Sequence, residues 1–170
     1  MGMIRGAAES DLPVLQDIER AAGLAFADIG MPEIAADEPL PLDELLVYLR
    51  GGRAWVCVEA ADRPIAYLIA EVLDGSTHIE QVSVHPDHAR QGIGRALLDF
   101  VAAWSLAQGQ SALTLTTFTH VPWNAPYYER CGFRRLSDAE ISPGLRAIRA
   151  EETERGLDRW PRTCMRRDLA

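Results

Sequence analysis

The chain has 170 residues, about the length of one domain on a prior of roughly 150 residues per domain. A hydrophobic share of 48% is enough to build a core, and a charged share of 25% excludes a wholly disordered chain. The net charge of −8 disfavours nucleic acid as a partner and favours small cationic molecules. We therefore expect residues 1–170 to form a single domain.

Cysteine usage and apolar runs indicate where such a protein works. Cys57, Cys131 and Cys164 stand at wide, irregular spacing, which favours neither a metal site nor a disulfide framework. The first residues hold no apolar stretch typical of a signal peptide, and no run of about 18 apolar residues is present to span a membrane. Because free thiols persist in a reducing compartment, we expect a cytoplasmic protein without metal or membrane partners.

The first half of the chain predicts a strand, two helices and a hairpin. Ser10 is a candidate N-cap for a helix whose apolar residues recur at helical spacing up to Ala22. Gly and Pro punctuate residues 25–41, which favours a long loop there. The predicted strands are 3–5, 55–59 and 65–72, and the second helix is 42–49.

The second half alternates strands with helices. Residues 77–84 alternate in side-chain direction as a strand does, and the apolar pattern of 94–107 predicts an amphipathic helix. Antiparallel runs followed by crossover units predict an α/β (α+β) fold with a mixed sheet. Further strands are predicted at 112–117, 133–136 and 164–169, with a helical turn at 126–131 and a polar helix at 145–155.

The junction between the strand at 77–84 and the next helix carries the first motif. It reads Val84-His85-Pro86, then Ala89-Arg90-Gln91-Gly92-Ile93-Gly94. The first N–H groups of a helix lack partners and carry partial positive charge, which suits a phosphate. Gly92 and Gly94 would let an anion approach the main chain, and Arg90 and Arg95 would add charge. An ordinary strand-to-helix turn is the alternative interpretation.

A second motif, Tyr128-Glu129-Arg130-Cys131-Gly132-Phe133, lies downstream of Asn124. Together the two motifs resemble the GNAT N-acetyltransferase superfamily, whose acyl-CoA signature is [Q/R]-x-x-G-x-[G/A] after a strand ending in V-x-P. Its closing motif is Tyr-Glu-Lys/Arg-x-Gly-Phe. Ala89 departs from the signature, because Gln or Arg is expected there. The resemblance implies a mixed, mostly antiparallel central sheet of about six or seven strands with helices on both faces.

The same resemblance implies a site for acetyl-CoA, with CoA as the product. Main-chain groups of Val82 and Val84 would bond to pantetheine, and the Val82 N–H would polarise the thioester carbonyl. Asn124 would be a further contact. Main-chain amides of the loop would hold the pyrophosphate, through Ala89, Arg90, Gln91, Gly92, Ile93, Gly94 and Arg95.

Transfer of an acetyl group to an amine needs a base for the ammonium, whose pKa is about 10, and an acid for the departing sulfur. By resemblance the acid is Tyr128, whose phenol is protonated at neutral pH. Glu80 and His78 stand two residues apart on one strand face with Val82, so either is a candidate base. We favour Glu80, which is closer to Val82, and keep Glu71 as a third candidate.

The resemblance also implies an acceptor site built from the first two helices, their connection and the last strands. Phe26, Asp28, Met31 and Trp123 are its candidate residues. The acidic range 25–41 favours a cationic primary amine of a small molecule or peptide, and a merely solvated loop is the alternative. Mixed charges at 145–160 indicate a solvated helix, and a homodimer contact stays open. The competing function is a non-catalytic acyl-CoA sensor or an interaction module.

Overall fold

The computed structural model describes residues 2–169, in which strands and helices alternate along the chain. The strands are β1 Met3–Gly6, β2 Ala54–Val58, β3 Pro64–Leu73, β4 Ser76–Val84, β5 Ala112–Phe118, β6 Arg134–Arg135 and β7 Arg162–Asp168. The α-helices are α1 Leu12–Gly23, α2 Pro32–Ala35, α3 Leu42–Arg50, α4 Ile93–Ala107, α5 Ala125–Arg130 and α6 Pro143–Glu154. Apart from α2, the elements follow the predicted type and order.

The strands form one sheet in the order β1-β2-β3-β4-β5-β7-β6. Antiparallel pairing joins β1 to β2, β2 to β3, β5 to β7 and β6 to β7. Strands β4 and β5 run parallel, with Thr77 opposite Leu113 and His78 opposite Thr114. The predicted fold class, a mixed and mostly antiparallel sheet of six or seven strands with helices, is confirmed.

Contacts along the chain divide it into two compact units. Unit 1 comprises Met1–Ala70 and Glu80–Val101, and unit 2 comprises Glu71–Ile79 and Ala102–Ala170. Strands β3 and β4 contribute residues to both units. The expectation of a single domain stays a prediction.

The core of unit 1 is built from two helices and the first strands. Leu12, Leu15 and Ile18 recur at intervals of three residues on α1 and are at most 3% exposed. They share one buried cluster with Leu45 of α3 and Tyr67 of β3. Every residue of β2 is buried, so both faces of this strand are covered. Full burial of each such leucine contributes about 1.5–3 kcal/mol to folding.

The start of α1 differs from the prediction. Ser10 is exposed and lies inside a 3-10 turn, Glu9–Asp11, so its assignment as the N-cap is wrong. The carboxylate of Asp11 accepts a hydrogen bond from the N–H of Ala8 at 2.7 Å and pairs with Arg5 at 2.8 Å. Asp11 therefore satisfies the free amide at this end, and its burial is tolerated because Arg5 neutralises it.

The range 25–41 is not a continuous loop, which corrects the prediction. A 3-10 turn over Leu24–Ile29 ends at Gly30, whose φ is +77°, and α2 follows it. Proline still marks the boundaries, because Pro32 opens α2 and Pro41 precedes α3. Turns this short need only i→i+3 bonds, which leave no apolar periodicity in the sequence.

Unit 2 is organised around the pairing of β5 with β7, which extends over all seven residues of each strand. The carboxylate of Asp74 accepts hydrogen bonds from the Ser142 hydroxyl and from the Gly144 N–H, and so satisfies the first turn of α6. Strand β6 is shorter than the predicted 133–136. No helix among residues 2–169 combines the length and apolar character needed to cross a membrane.

Candidate functional site

In unit 1, the loop from Val84 at the end of β4 to Ile93 at the start of α4 has an unusual main chain. Arg90 and Gly92 have φ angles of +62° and +76°, in the left-handed region that non-glycine residues rarely adopt. Such turns make N–H groups converge, and the first turn of the 15-residue α4 adds partial positive charge. A Cβ on Gly92 would meet nothing within 4 Å, so the space beside it is open.

Polar contacts hold the beginning of this loop. The N–H of His85 donates to the Ile65 carbonyl at 2.9 Å, and His85 Nδ1 accepts the N–H of Asp87 at 3.1 Å. His88 Nε2 lies 3.7 Å from a carboxylate oxygen of Glu59. The loop is therefore fixed where it leaves the sheet and accessible where it turns. In the range 89–95, Ala89, Arg90, Gln91, Gly92 and Arg95 are exposed, whereas Ile93 and Gly94 are buried.

The candidate bases on β3 and β4 differ in exposure. Glu80 is exposed and therefore accessible to an amine in solution, while Glu71 is half-buried. Val82 and Val84 are also half-buried and share the strand with Glu80 at intervals of two residues. Strand β4 thus carries an exposed carboxylate, that of Glu80, four residues before the loop begins at Val84.

His78 has the opposite surroundings, although it lies on the same strand. It belongs to unit 2, is 2% exposed, and its Nδ1 lies 2.9 Å from the Thr114 hydroxyl oxygen. Burial lowers the pKa of His78 from 6.5 to about 4, against an opposing effect of Glu152. An imidazole with that pKa is neutral at pH 7, and its burial keeps it from an amine in solution.

Tyr128 is the buried phenol of unit 2. It is 8% exposed, and its ring makes edge contacts with Tyr127 at 5.5 Å and Phe133 at 5.8 Å between centroids. The Phe133 N–H donates to the Tyr128 carbonyl at 3.0 Å, which fixes the end of α5. Burial, with Tyr127 and Cys131, raises the pKa of Tyr128 well above its usual 10. The hydroxyl therefore keeps its proton at pH 7 and is a hydrogen-bond donor.

Asn124 precedes α5 and holds a polar atom that the protein leaves unsatisfied. Its Nδ2 donates to the Trp123 carbonyl at 3.2 Å, whereas its Oδ1 is buried without a hydrogen-bond partner. A buried acceptor without a partner costs about 1–3 kcal/mol, which a ligand N–H at this position would recover. The main chain of Asn124 accepts the Tyr128 N–H at 2.9 Å, so the two predicted residues lie together.

These features fall within one sequence family. A sequence model described as the acetyltransferase (GNAT) family matches residues 18–133, which include the loop at 89–95 and both Asn124 and Tyr128. The chain belongs to the acetyltransferase (GNAT) family. The resemblance carried by the two motifs is thus confirmed.

Solved acetyltransferase structures share the fold. The ribosomal-protein-S18-alanine N-acetyltransferase from Escherichia coli is 20% identical, with a TM-score of 0.68 over 100% of this chain and 95% of that chain. The N-acetylglutamate synthase from Neisseria gonorrhoeae, complexed with coenzyme A and N-acetyl-glutamate, is 15% identical, with a TM-score of 0.74 over 100% of this chain and 35% of that chain. The PaiA N-acetyltransferase from Thermoplasma acidophilum, in complex with coenzyme A, is 14% identical, with a TM-score of 0.68 over 99% of both chains.

The predicted acceptor residues of this acetyltransferase lie in two places. In unit 1, Phe26 and Met31 are brought together by a hydrogen bond from the Met31 N–H to the Phe26 carbonyl at 3.0 Å. Asp28, in the turn between them, is exposed, whereas Met31 is only 3% exposed. Trp123 belongs to unit 2 and is 37% exposed. Asp28 and Trp123 are therefore the members that a dissolved amine reaches most directly.

Sequence reasoning missed a buried ion cluster in unit 2 of this acetyltransferase. Glu152 is 9% exposed and accepts a hydrogen bond from the Thr116 hydroxyl at 2.6 Å. It also pairs with Arg149 at 2.8 Å and with Arg162 at 3.1 Å. The expectation of a solvated helix at 145–160 is wrong for Glu152. The i,i+3 spacing from Arg149 is a sequence signal, but nothing in the sequence indicates Thr116 or Arg162.

Charge is distributed unevenly when each unit is counted by itself. Unit 1 has 7 arginines against 15 carboxylates, whereas unit 2 has 10 against 10. All 17 cationic residues of the chain are arginine, and lysine is absent from the sequence. Among residues 2–169, no group of three His, Cys, Asp or Glu side chains is placed to hold a metal ion.

Proposed function

We propose that this acetyltransferase moves an acetyl group from acetyl-CoA to a primary amine of a small molecule or peptide, by direct attack while both are bound. The observation that carries the proposal is the exposed left-handed loop ahead of α4, inside the range that the family matches. Its main chain suits a pyrophosphate, because converging N–H groups and a helix start favour anions. When bound, acetyl-CoA supplies the acetyl group as a thioester and leaves as CoA.

Several residues fit that cosubstrate. Amides from Ala89 to Arg95 would hold the phosphates, and the open space beside Gly92 leaves room for them. The unsatisfied Oδ1 of Asn124 would accept an amide N–H of the pantetheine arm. Main-chain groups of Val82 and Val84 would bond to the same arm, and the Val82 N–H would polarise the thioester carbonyl. Two of the structures described above contain coenzyme A, which supports this assignment.

The proton transfers are assigned to Glu80 and Tyr128. Glu80 would remove the ammonium proton, directly or through water, because it is exposed where His78 is buried. Glu71, which is half-buried, is a less favoured candidate for the base than Glu80. Tyr128 would donate to the departing sulfur, since a phenol carries its proton at pH 7.

The acceptor class follows from charge. The carboxylate excess of unit 1 attracts cations over distances of about a Debye length, so a cationic amine is favoured. Phe26, Asp28 and Met31 are the proposed acceptor contacts in unit 1, and Trp123 is the one in unit 2. A cytoplasmic location and a homodimer stay predictions.

Calorimetric titration with acetyl-CoA tests the site. We expect micromolar binding by the wild-type protein and loss of at least about 100-fold in affinity for Gly92→Glu, because the new carboxylate fills the open space and repels phosphate. Gly52→Glu is the matched control, since Gly52 has a φ of +71° and nothing within 4 Å of its Cβ position. Both changes carry the same backbone strain, about 1–2 kcal/mol.

Either of two outcomes would contradict the site. If Gly92→Glu bound acetyl-CoA as tightly as Gly52→Glu, the loop would not hold the phosphates. If the wild-type protein bound no acetyl-CoA, the proposed function itself would be wrong.

Tyr128→Phe separates an enzyme from a non-catalytic acyl-CoA sensor. The phenylalanine ring keeps the contacts with Tyr127 and Phe133, so acetyl-CoA affinity should stay within about twofold. We expect kcat, measured by thiol release with an amine, to fall about 100-fold because the general acid is lost. Tyr127→Phe is the control and should retain nearly full turnover. Equal turnover in the two variants would reject Tyr128 as the acid.

A further inference from the structure

The segment that follows α1 is hydrogen-bonded to that helix at Leu40. The side-chain amide of Gln16 donates to the Leu40 carbonyl oxygen at 2.9 Å. The Leu40 N–H in turn donates to Oε2 of Glu19 at 3.2 Å. Gln16 and Glu19 are three residues apart and lie on one face of α1. Both main-chain polar groups of Leu40 are therefore satisfied by side chains of a single helix, an arrangement that we call the Leu40 clamp.

The local sequence gives this clamp its specificity. Pro39 and Pro41 flank Leu40 and have no N–H, so Leu40 holds the single amide donor of this tripeptide. Pro39 is buried, and Leu40 packs against the hydrophobic cluster of unit 1. An amide at such a position costs about 1–3 kcal/mol if it is left without a partner. Glu19 is the group that removes this cost.

Several charged side chains lie near the Leu40 clamp. Arg20, next to Glu19 on α1, lies 3.9 Å from Glu38 of the same segment. Burial raises the pKa of Glu19, the Leu40 N–H and Arg20 oppose the shift, and Asp37 adds to it. The carboxylates of Glu19, Asp37 and Glu38 therefore stand close to the point where the segment meets α1, and a cation nearby would relieve their mutual repulsion.

We propose that Gln16 and Glu19 are positioning residues that hold residues 24–41 in the conformation that receives the acceptor amine. The inference rests on the proposed function, because Phe26, Asp28 and Met31 are its acceptor contacts. Within the segment, main-chain bonds shape each turn, such as the one from Met31 to Phe26. The clamp fixes the far end of the segment to α1, so its loss would loosen the acceptor contacts and leave the phosphate loop unchanged.

Hydrogen exchange reports on the clamp directly. The exchange of the Leu40 amide is followed as its own NMR cross-peak in the intact protein, and Pro39 and Pro41 contribute no amide beside it. Glu19→Ala should speed its exchange about tenfold or more, whereas Glu19→Gln keeps an oxygen acceptor and should stay within about threefold of wild type. Asp17→Ala is the matched control, since Asp17 is exposed on the same helix and bonds to Arg20.

Kinetics then test the positioning role. Thiol release is followed with acetyl-CoA and three cationic primary amines, spermidine, agmatine and an alanyl-arginine dipeptide, and the best wild-type substrate is the probe. We expect Glu19→Ala and Gln16→Ala to raise KM for that amine about tenfold, with kcat within about twofold and acetyl-CoA affinity unchanged. Glu19→Gln should restore the wild-type KM, which a merely destabilising change would not predict.

The outcomes separate the two proposals. A wild-type protein that binds no acetyl-CoA would overturn the proposed function, and one that acetylates none of the three amines would overturn its cationic acceptor class. A wild-type protein that passes both tests, with no change in Leu40 exchange or in KM for Glu19→Ala, would overturn the clamp alone.

Discussion

Each unit contains a glutamate that is shielded from solvent, and the pKa values of the two shift in opposite directions. Burial acts on both by raising the pKa. Glu19 of unit 1 has the Leu40 N–H as its hydrogen-bond donor, and its pKa is raised. Glu152 of unit 2 is bonded by Arg162, Thr116 and Arg149, and its pKa is lowered. The difference teaches that hydrogen bonds from cations, and not burial alone, set the direction in which the pKa of a buried carboxylate shifts.

The same contrast separates structural charge from charge that is available for a ligand. The cluster around Glu152 pairs its own charges within unit 2, so its role is structural. The carboxylates near Glu19 are left with an excess of negative charge, because one arginine, Arg20, serves Glu38 and Asp17 at 3.9 Å and 3.4 Å. Two changes in unit 2 test this contrast.

Arg162→Met should have the largest effect on stability. The Arg162 side chain is 9% exposed, pairs with Glu152 and lies over the Phe118 ring at 4.5 Å. Methionine keeps much of the apolar contact and removes the cation, which leaves Glu152 with Arg149 as its remaining cation. We expect the free energy of unfolding, from urea titration at pH 7, to fall by about 3 kcal/mol.

Two controls accompany this measurement. Arg134→Met removes an arginine from an exposed pair with Glu140 and should leave the unfolding midpoint nearly unchanged. Adding Glu152→Gln to Arg162→Met removes the stranded charge and should recover part of the loss. A loss no greater than that of Arg134→Met would show that the buried pair does not hold unit 2 together.

His78→Gln tests the complementary case, a buried group without a bonded counter-charge. Its pKa is about 4 in the folded protein and 6.5 as the ordinary value, so the unfolded chain binds the proton first as pH falls. The contribution of neutral His78 to the free energy of unfolding is therefore fully present above pH 6.5, and it is lost as the pH falls from 6.5 to 4. Glutamine takes up no proton. Over that pH range the free energy of unfolding of the variant should therefore fall by up to about 3 kcal/mol less than that of the wild-type protein.

The control for this experiment is His120→Gln, because His120 is exposed. The substitution should leave the free energy of unfolding at pH 7 nearly unchanged. If the curves of unfolding free energy against pH were parallel for wild type and His78→Gln, His78 would bind its proton equally well in the folded and the unfolded protein. That result would reopen His78 as a candidate base beside Glu80.

Much of the fold was accessible from the sequence because its elements carry strong local signals. The hairpin of β2 and β3 and the helix α4 have clear apolar patterns, and the predicted bounds differ from the observed ones by at most one residue. The loop at 89–95 was found through its glycines, since Gly92 occupies a backbone region that favours glycine. These features depend on residues adjacent in the chain, which is why pattern reasoning reaches them.

The remainder depends on residues distant in sequence. Glu152 is buried because Thr116 and Arg162 meet it from β5 and β7, separations of 36 and 10 residues. Leu40 meets Glu19 across 21 residues. Ser10 failed as a cap because Asp11 had Arg5 to pair with, a contact that propensity does not contain. The site residues from the two motifs stay predictions until the variants at Gly92 and Tyr128 are measured.

The exclusive use of arginine has a chemical consequence for a protein proposed to bind an acetylating agent. A guanidinium stays protonated at any physiological pH and is a poor nucleophile, whereas a lysine ε-amine reacts with thioesters. With no lysine in its sequence, the chain has no ε-amine to compete with the acceptor. The ion pairs of Arg162 and Arg149 with Glu152 cannot be neutralised by acetylation, so the protein keeps its charge pattern while handling its own reagent.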